Sequence, residues 1–129
     1  MAKIIADTNF LLMPFEYGID FTGELLRIMH EPITLIICTG TQRELETLAG
    51  RTGKRAAAAR FVLSNMETIR KKFAVESIPS TGEVDRWIIK FVQENSVCVA
   101  TNDMPLRMKL KALGVPVISM KGKSKLDFV

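Results

Sequence analysis

Four acidic side chains, Asp7, Glu44, Asp85 and Asp103, stand where apolar strand-like runs end or helical patterns begin. Asp7 closes the run Ile4-Ile5-Ala6 and is followed by Thr8 and Asn9. Asp103 ends the stretch Val97-Cys98-Val99-Ala100-Thr101-Asn102. Glu44 and Asp85 fall in the first turns of predicted helices. Gathered at one sheet edge, such carboxylates repel one another unless a divalent cation sits among them. Carboxylate-held Mg²⁺ or Mn²⁺ is the equipment of phosphoryl transfer and phosphodiester hydrolysis.

Each of these residues also has a plainer structural use. Asp is a favoured helix N-cap, which would account for Asp7 and Asp103. Yet Asp7-Thr8-Asn9 and Thr101-Asn102-Asp103 hold more polar groups than one cap requires. Thr41-Gln42-Arg43-Glu44 reads as a capping box with Thr41 as the cap, so Glu44 taken alone is structural. Asp85 is harder to explain that way. At ~100° per residue, Val84, Trp87, Ile88, Phe91 and Val92 share one helix face, and Asp85 falls inside its arc. A carboxylate turned toward a core is costly unless it is paired, protonated or metal-bound. Ser80-Thr81-Gly82-Glu83 offers a second capping box, so Asp85 is not needed as the cap.

The elements that must position these groups follow from periodicity. Short apolar runs at 3–7, 33–38, 74–78, 97–100 and 116–120 lack polar alternation, as buried parallel strands do. Helical patterns lie between them. The first includes Phe21 to His30. The second spans 41–72 as two helices broken near Gly50-Arg51-Thr52-Gly53. The third covers 81–94, and the fourth runs from Met104 to Leu113 and stops at Gly114. This alternation predicts a three-layer α/β/α sandwich around a parallel sheet. Ligands in such sheets bind beyond the carboxyl ends of the strands, where Asp7 and Asp103 fall.

The 129 residues fit one domain over 1–120, with 121–129 as a basic tail that docks or stays free. Cys38 and Cys98 sit in apolar runs without a metal-ligand spacing and read as core residues, which suits a reducing cytoplasm. Lys3 and Asp7 interrupt the N-terminus, which argues against a signal peptide. No apolar run approaches the ~18–20 residues that span a bilayer. The formal charge of +4 is uneven: residues 104–129 carry +5 and the remainder −1. A near-neutral body with a basic edge suits a polyanion approached from one side, or simply a solvated face. Candidate phosphate contacts are Arg51, Lys54 and Arg55 at the helix break, Arg107, and Lys121, Lys123 and Lys125 near the end. His30, the only histidine, stands where a helix should stop and reads as structural.

Taken in order, Ile4-Ile5-Ala6-Asp7-Thr8-Asn9, Glu44-Leu45, Val84-Asp85-Arg86-Trp87-Ile88, Ala100-Thr101-Asn102-Asp103 and Leu113-Gly114-Val115-Pro116-Val117-Ile118 resemble the PIN-domain family. The likeness is greatest to its compact microbial members, a group with VapC-type toxins and relatives of ribosome-biogenesis nucleases. The resemblance implies a strand order 3-2-1-4-5 and Mg²⁺- or Mn²⁺-dependent endonuclease activity, usually on single-stranded RNA. It assigns one or two ions and the catalytic roles to Asp7, Glu44, Asp85 and Asp103. Thr8, Asn9, Thr101 and Asn102 would support those carboxylates or position water. Two positions depart from the family pattern: many members carry an acid where Val84 and Pro105 stand here. Two rivals stay open. One is a PIN-fold RNA- or protein-binding module that does not cut, in ribosome or RNP assembly. The other is a phosphatase with Asp7 as nucleophile, although Asp7-Thr8-Asn9 lacks the second aspartate of a DxDxT pattern. An antitoxin or RNP partner and a homodimer are further expectations, with no membrane partner.

Overall fold

The computed structural model describes residues 2–129. Its strands are β1 (Ala2–Ala6), β2 (Ile33–Cys38), β3 (Ala74–Ile78), β4 (Cys98–Ala100), β5 (Val117–Lys121) and β6 (Lys125–Phe128). Its helices are α1 (Thr8–Tyr17), α2 (Phe21–Met29), α3 (Thr39–Ala49), α4 (Lys54–Ser64), α5 (Met66–Lys72), α6 (Val84–Glu94) and α7 (Met104–Ala112). The sheet order is β3-β2-β1-β4-β5-β6, so the predicted order of the five parallel strands holds.

Burial explains why the runs of the central strands lack polar alternation; β3, expected to be buried like them, is instead an edge strand with no buried residue. Every residue of β2 is buried, because helices cover both faces of the sheet. Ile4 and Ala6 turn to the layer that holds α1 to α5, where they meet Leu11, Leu12, Leu45 and Val62. Ile5 and Val99 turn to the opposite layer and pack with Ile88 and Val92 of α6 and Leu106 and Leu110 of α7. A fully buried Leu or Ile contributes about 1.5–3 kcal/mol relative to exposure. The two layers therefore hold the sheet edge in place from both sides.

Three segments differ in kind from the sequence reading. The pattern places the first helix at Phe21, yet α1 precedes it. Phe10, Leu11, Leu12 and Met13 are at most 1% exposed, so this turn of α1 is buried on every side and shows no amphipathic stripe. It ends at Gly18, whose φ of 65° a side chain would strain. The stretch 41–72 contains three helices rather than two, because Asn65 separates α4 from α5. The third difference is the segment 121–129, read as a tail.

Residues Lys125–Phe128 instead form β6, antiparallel to β5, with Lys121 paired to Lys125 and Ile118 to Phe128. The turn runs through Gly122, at φ 73°. Leu126 is fully buried in the α1–α5 layer. Both its backbone groups are satisfied by α2. Its N–H donates to Glu24 Oε1 at 3.0 Å, and its carbonyl accepts from Arg27 Nη2 at 2.7 Å. Glu24 and Arg27 are themselves paired at 3.0 Å. An edge strand leaves peptide groups unpaired, and this pair of side chains closes two of them.

Candidate active site

β1 and β4 are parallel neighbours, with Ala6 opposite Ala100. From their carboxyl ends the chain departs to opposite faces of the sheet, into α1 and α7. That is the switch point, where a crevice must open. Asp7 stands on its floor, 4% exposed. Its N–H donates to the Ala100 carbonyl at 3.2 Å. One carboxylate oxygen accepts from Phe10 N–H at 2.7 Å and so caps α1. The other accepts from the Thr101 hydroxyl. Thr101 Oγ1 in turn accepts from Asp103 N–H at 3.1 Å, and Asp103 caps α7 through Leu106 N–H at 2.8 Å. Capping and cleft lining are thus performed by the same aspartates, and Thr101 ties one to the other.

Both predicted capping boxes are absent, and the actual helix starts bring Glu44 and Asp85 to the cleft. α3 begins at Thr39, so Thr41 lies buried inside it and Glu44 is not drawn back to a cap. α6 begins at Val84 after Glu83, without a side-chain cap. Ser80 works elsewhere: its hydroxyl accepts from Gly40 N–H at 2.8 Å, at the uncapped start of α3. Ser80 N–H donates to Thr39 Oγ1 at 2.8 Å. This latch fixes the loop before α6 against α3, and hence Asp85 against Glu44. It needs a glycine at 40, where a Cβ would stand 3.0 Å from Ser80 Oγ and 3.1 Å from Val84 Cγ2.

Asp7, Thr8, Asn9, Glu44, Glu83, Val84, Asp85 and Asp103 line one open cleft of about 290 Å³. Asp85 is exposed there. The helical wheel turns it toward the core, but α6 rotates its apolar face onto Ile88 and Val92 and leaves Asp85 at the cleft. Burial pushes the Asp7 carboxyl up to about 6; its two hydrogen bonds oppose this and the charges of Asp85 and Asp103 add to it. Asp85 is also raised, by partial desolvation and then by Asp103, Glu44 and Glu83, with Lys109 opposing. Glu83 and Lys109 are the site's contribution that sequence patterns miss. The capping-box pattern assigns Glu83 to a helix start, whereas the fold makes it a further carboxylate one position before Val84.

The supporting residues divide. Thr8 donates to Thr41 Oγ1 at 3.4 Å, and Asn9 accepts from Arg55 Nη2 at 2.7 Å, both at the cleft wall. Asn102 turns away: its Oδ1 accepts from Ser119 Oγ and Met120 N–H, each at 2.7 Å, and locks β4 to β5. Its expected role beside the carboxylates is therefore corrected to one of holding strands. Arg51 and Lys54 are exposed before and at the start of α4. Arg107 is half-buried on α7, with its Nε out of solvent and unpartnered. Lys121, Lys123 and Lys125 are exposed on the β5–β6 hairpin. Ile118 is level with Ala100 and Ala6, so Lys121 projects roughly 10 Å past the same sheet edge that carries the cleft.

Among the described residues, no three acidic, histidine or cysteine side chains already form a closed ligand shell. The donor set nevertheless fits a hard divalent cation. It is all carboxylate oxygen, and the like-charge repulsion felt at Asp7 and Asp85 is what such an ion would relieve.

Fold and cleft together define a three-layer α/β/α protein with an acidic crevice at the switch point of its sheet. The chain belongs to the PIN like domain family, which it matches over residues 4–123. It is 31% identical to ribonuclease VapC4 of Methanocaldococcus jannaschii over 98% of this chain and 96% of that protein. It is 30% identical to ribonuclease VapC9 of Archaeoglobus fulgidus, over 91% of this chain and 82% of that one. Among solved structures it resembles the PIN domain endonuclease Utp24, with a TM-score of 0.75, 26% identity and coverage of 98% and 90%.

Proposed function

We propose that this chain is a divalent-metal-dependent endoribonuclease that cleaves single-stranded RNA. The observation that carries the reading is the meeting of Asp7, Glu44, Asp85 and Asp103, from four separate elements, in one cleft at the sheet's switch point. The ribonuclease names of two full-length relatives support it. Asp7, Asp85 and Asp103 would hold the ion, with Glu44 beside them. When bound, the ion supplies Lewis-acid stabilisation of charge on the scissile phosphate and a water of lowered pKa. Thr101 keeps Asp7 and Asp103 oriented. Arg55, held at Asn9, and the hairpin lysines guide the RNA backbone toward the cleft. The site has no histidine base.

Melting wild type and Asp103→Asn, each in EDTA and in Mn²⁺, tests the reading. Asn caps about as well as Asp, so the α7 cap survives. Relief of repulsion should stabilise the EDTA form by about 1 kcal/mol. The gain on adding Mn²⁺ should shrink, because a ligand stabilises only through its affinity for the folded state. Cleavage of unstructured RNA should be lost. An equal Mn²⁺ shift in both proteins removes Asp103 from the metal site.

One observation favours a binding module that does not cut. Val84 lines the cleft where the family resemblance leads one to expect an acid, and Pro105 stands at the second such position. Tight RNA binding without Mn²⁺-dependent cleavage by wild type would select it. An RNP component is the partner this second reading proposes; a small antitoxin and a homodimer belong to the ribonuclease reading.

The hairpin lysines are tested by substitution, since deleting them would remove β6. Lys121→Gln, Lys123→Gln and Lys125→Gln together should reduce the slope of log affinity against log salt by about 0.7 for each phosphate no longer neutralised. An unchanged slope returns these lysines to solvent.

A further inference from the structure

Among the described residues, three of the four exposed phenylalanine and tyrosine side chains gather on one face, and the fourth, Phe128, lies apart on β6. Phe15 and Tyr17 of α1 and Phe61 of α4 are 45%, 62% and 43% exposed. Phe15 and Phe61 lie with ring centroids 5.3 Å apart, tilted by 45°. Beside them is an open cavity of about 730 Å³ lined by Phe15, Glu16, Tyr17, Gly53, Lys54 and Ala57. Aromatic rings left in water at this density call for an occupant.

Charge and continuity select that occupant. Lys54 lines the cavity, and the adjacent Arg55 bridges two parts of α1. One of its nitrogens donates to Asn9, which lines the acidic cleft. Another lies 3.9 Å from Glu16, offsetting the carboxylate that faces the cavity. α4 begins at Gly53 without a side-chain cap, so its first N–H groups stand beside the same space. Such groups favour phosphate oxygens. From Asn9 to Tyr17 the helix rises about 12 Å, a distance that a strand leaving the cleft covers in a few nucleotides.

We propose that Phe15, Tyr17 and Phe61, with Lys54 and Arg55, form a stacking subsite for unpaired bases of RNA flanking the cleavage position. Rings bind base faces with little regard for sequence, while the cations track the backbone. The subsite rests on the RNA-cleaving reading and extends it: it makes affinity depend on bases beyond the bond that is cut, and on their being unpaired.

The test is anisotropy of a labelled oligouridylate and of a base-free ribose-phosphate analogue of equal length. Each is titrated with wild type, Tyr17→Ala, Phe15→Ala and Tyr17→Trp in the Asp103→Asn background, so that nothing is cut. Tyr17 is the most exposed of the three rings, so its replacement leaves the fold intact by circular dichroism. Oligouridylate affinity should fall about 10-fold in Tyr17→Ala and in Phe15→Ala and be kept in Tyr17→Trp. The base-free analogue should bind all four proteins alike. Unchanged oligouridylate affinity in both alanine variants overturns the subsite. So does a change in the oligomeric state of Tyr17→Ala with RNA affinity unaltered, which assigns the face to a protein contact. Cleavage assays of the same variants on the active background separate the two proposals. Aromatic-dependent binding without any Mn²⁺-dependent cleavage by the parent defeats the nuclease reading alone. Cleavage with aromatic-independent binding defeats the subsite alone.

Discussion

Asp7→Asn is expected to give a protein that no longer cuts RNA and yet melts at a higher temperature in EDTA. Asp7 is 4% exposed and its carboxyl is raised from the ordinary carboxylate value of 3.8 to about 6, chiefly by burial. A raised acid binds its proton more tightly in the folded state than in the unfolded chain. The stability linked to that proton is fully present below about pH 4 and is lost as the pH rises through about 6. At neutral pH the ionised Asp7 therefore costs the metal-free fold on the order of 3 kcal/mol. Asn removes this cost and keeps the essential contacts. Its oxygen still accepts from Phe10 N–H, and its amide can donate to Thr101 Oγ1, whose own proton is then free to turn. The melting temperature at neutral pH in EDTA should rise by on the order of 10 °C, and the decline of stability between pH 4 and pH 6 should flatten. Mn²⁺ should flatten the wild-type profile and leave that of Asp7→Asn unmoved. Cleavage should fall by more than the ~10–100-fold that losing a group behind a metal ligand costs. Calorimetric melts from pH 4 to pH 8 decide the matter: parallel profiles for the two proteins would remove Asp7 as the source of the strain.

Truncation after Met120 is expected to destabilise the chain by more than 3 kcal/mol and to make it associate. β6 contributes Leu126, fully buried in the layer around α1 and α2, and losing one buried leucine to alanine alone costs about 2–5 kcal/mol. The cut also strips Glu24 and Arg27 of their backbone partners and exposes the edge of β5. A bare apolar edge is a template for pairing with another chain. Leu126→Ala separates the two consequences, because it keeps the strand and removes the anchor: it should lose stability without gaining association. Urea denaturation with light scattering measures both. A truncated chain that unfolds at the wild-type midpoint would reduce β6 to an ornament on the sheet.

The aliphatic runs of β1, β2 and β4 were legible because they are buried on both faces, and a strand with no wet side has no polar alternation to blur it. Alternation with helices then restricts the topology, since parallel neighbours require crossovers of one hand. α1 escaped for the same reason that β2 was plain. The Phe10-Leu11-Leu12-Met13 turn of α1 is buried on every side, so four consecutive apolar residues carry no 3.6-residue stripe. β6 escaped because a four-residue edge strand shows only one buried side chain, Leu126, among exposed or half-buried neighbours.

For the cleft, residue type and position at strand ends were enough to single out Asp7 and Asp103, because a polar cluster after a buried strand has few structural uses. The helical wheel also singled out Asp85, whereas local patterns misassigned Glu44 and Glu83. Thr41-Gln42-Arg43-Glu44 and Ser80-Thr81-Gly82-Glu83 both have capping-box chemistry, and neither forms the box. A cap is a competition among all hydroxyls within reach, and Ser80, forty residues away in sequence, wins the start of α3 at Gly40 N–H. What the sequence determined by itself is therefore what depends on local burial and local chemistry: the layered sheet, the carboxylates at its edge, and the basic character of its last segment. What only the tertiary structure decided is which groups meet across long separations. Thr101 links Asp7 to Asp103, Glu83 joins the cleft, Asn102 leaves it for β5, and the aromatic rings of α1 gather beside the cations of α4. Those outcomes turn on how helices rotate and which loop docks where, and one chain's spacing carries no record of either.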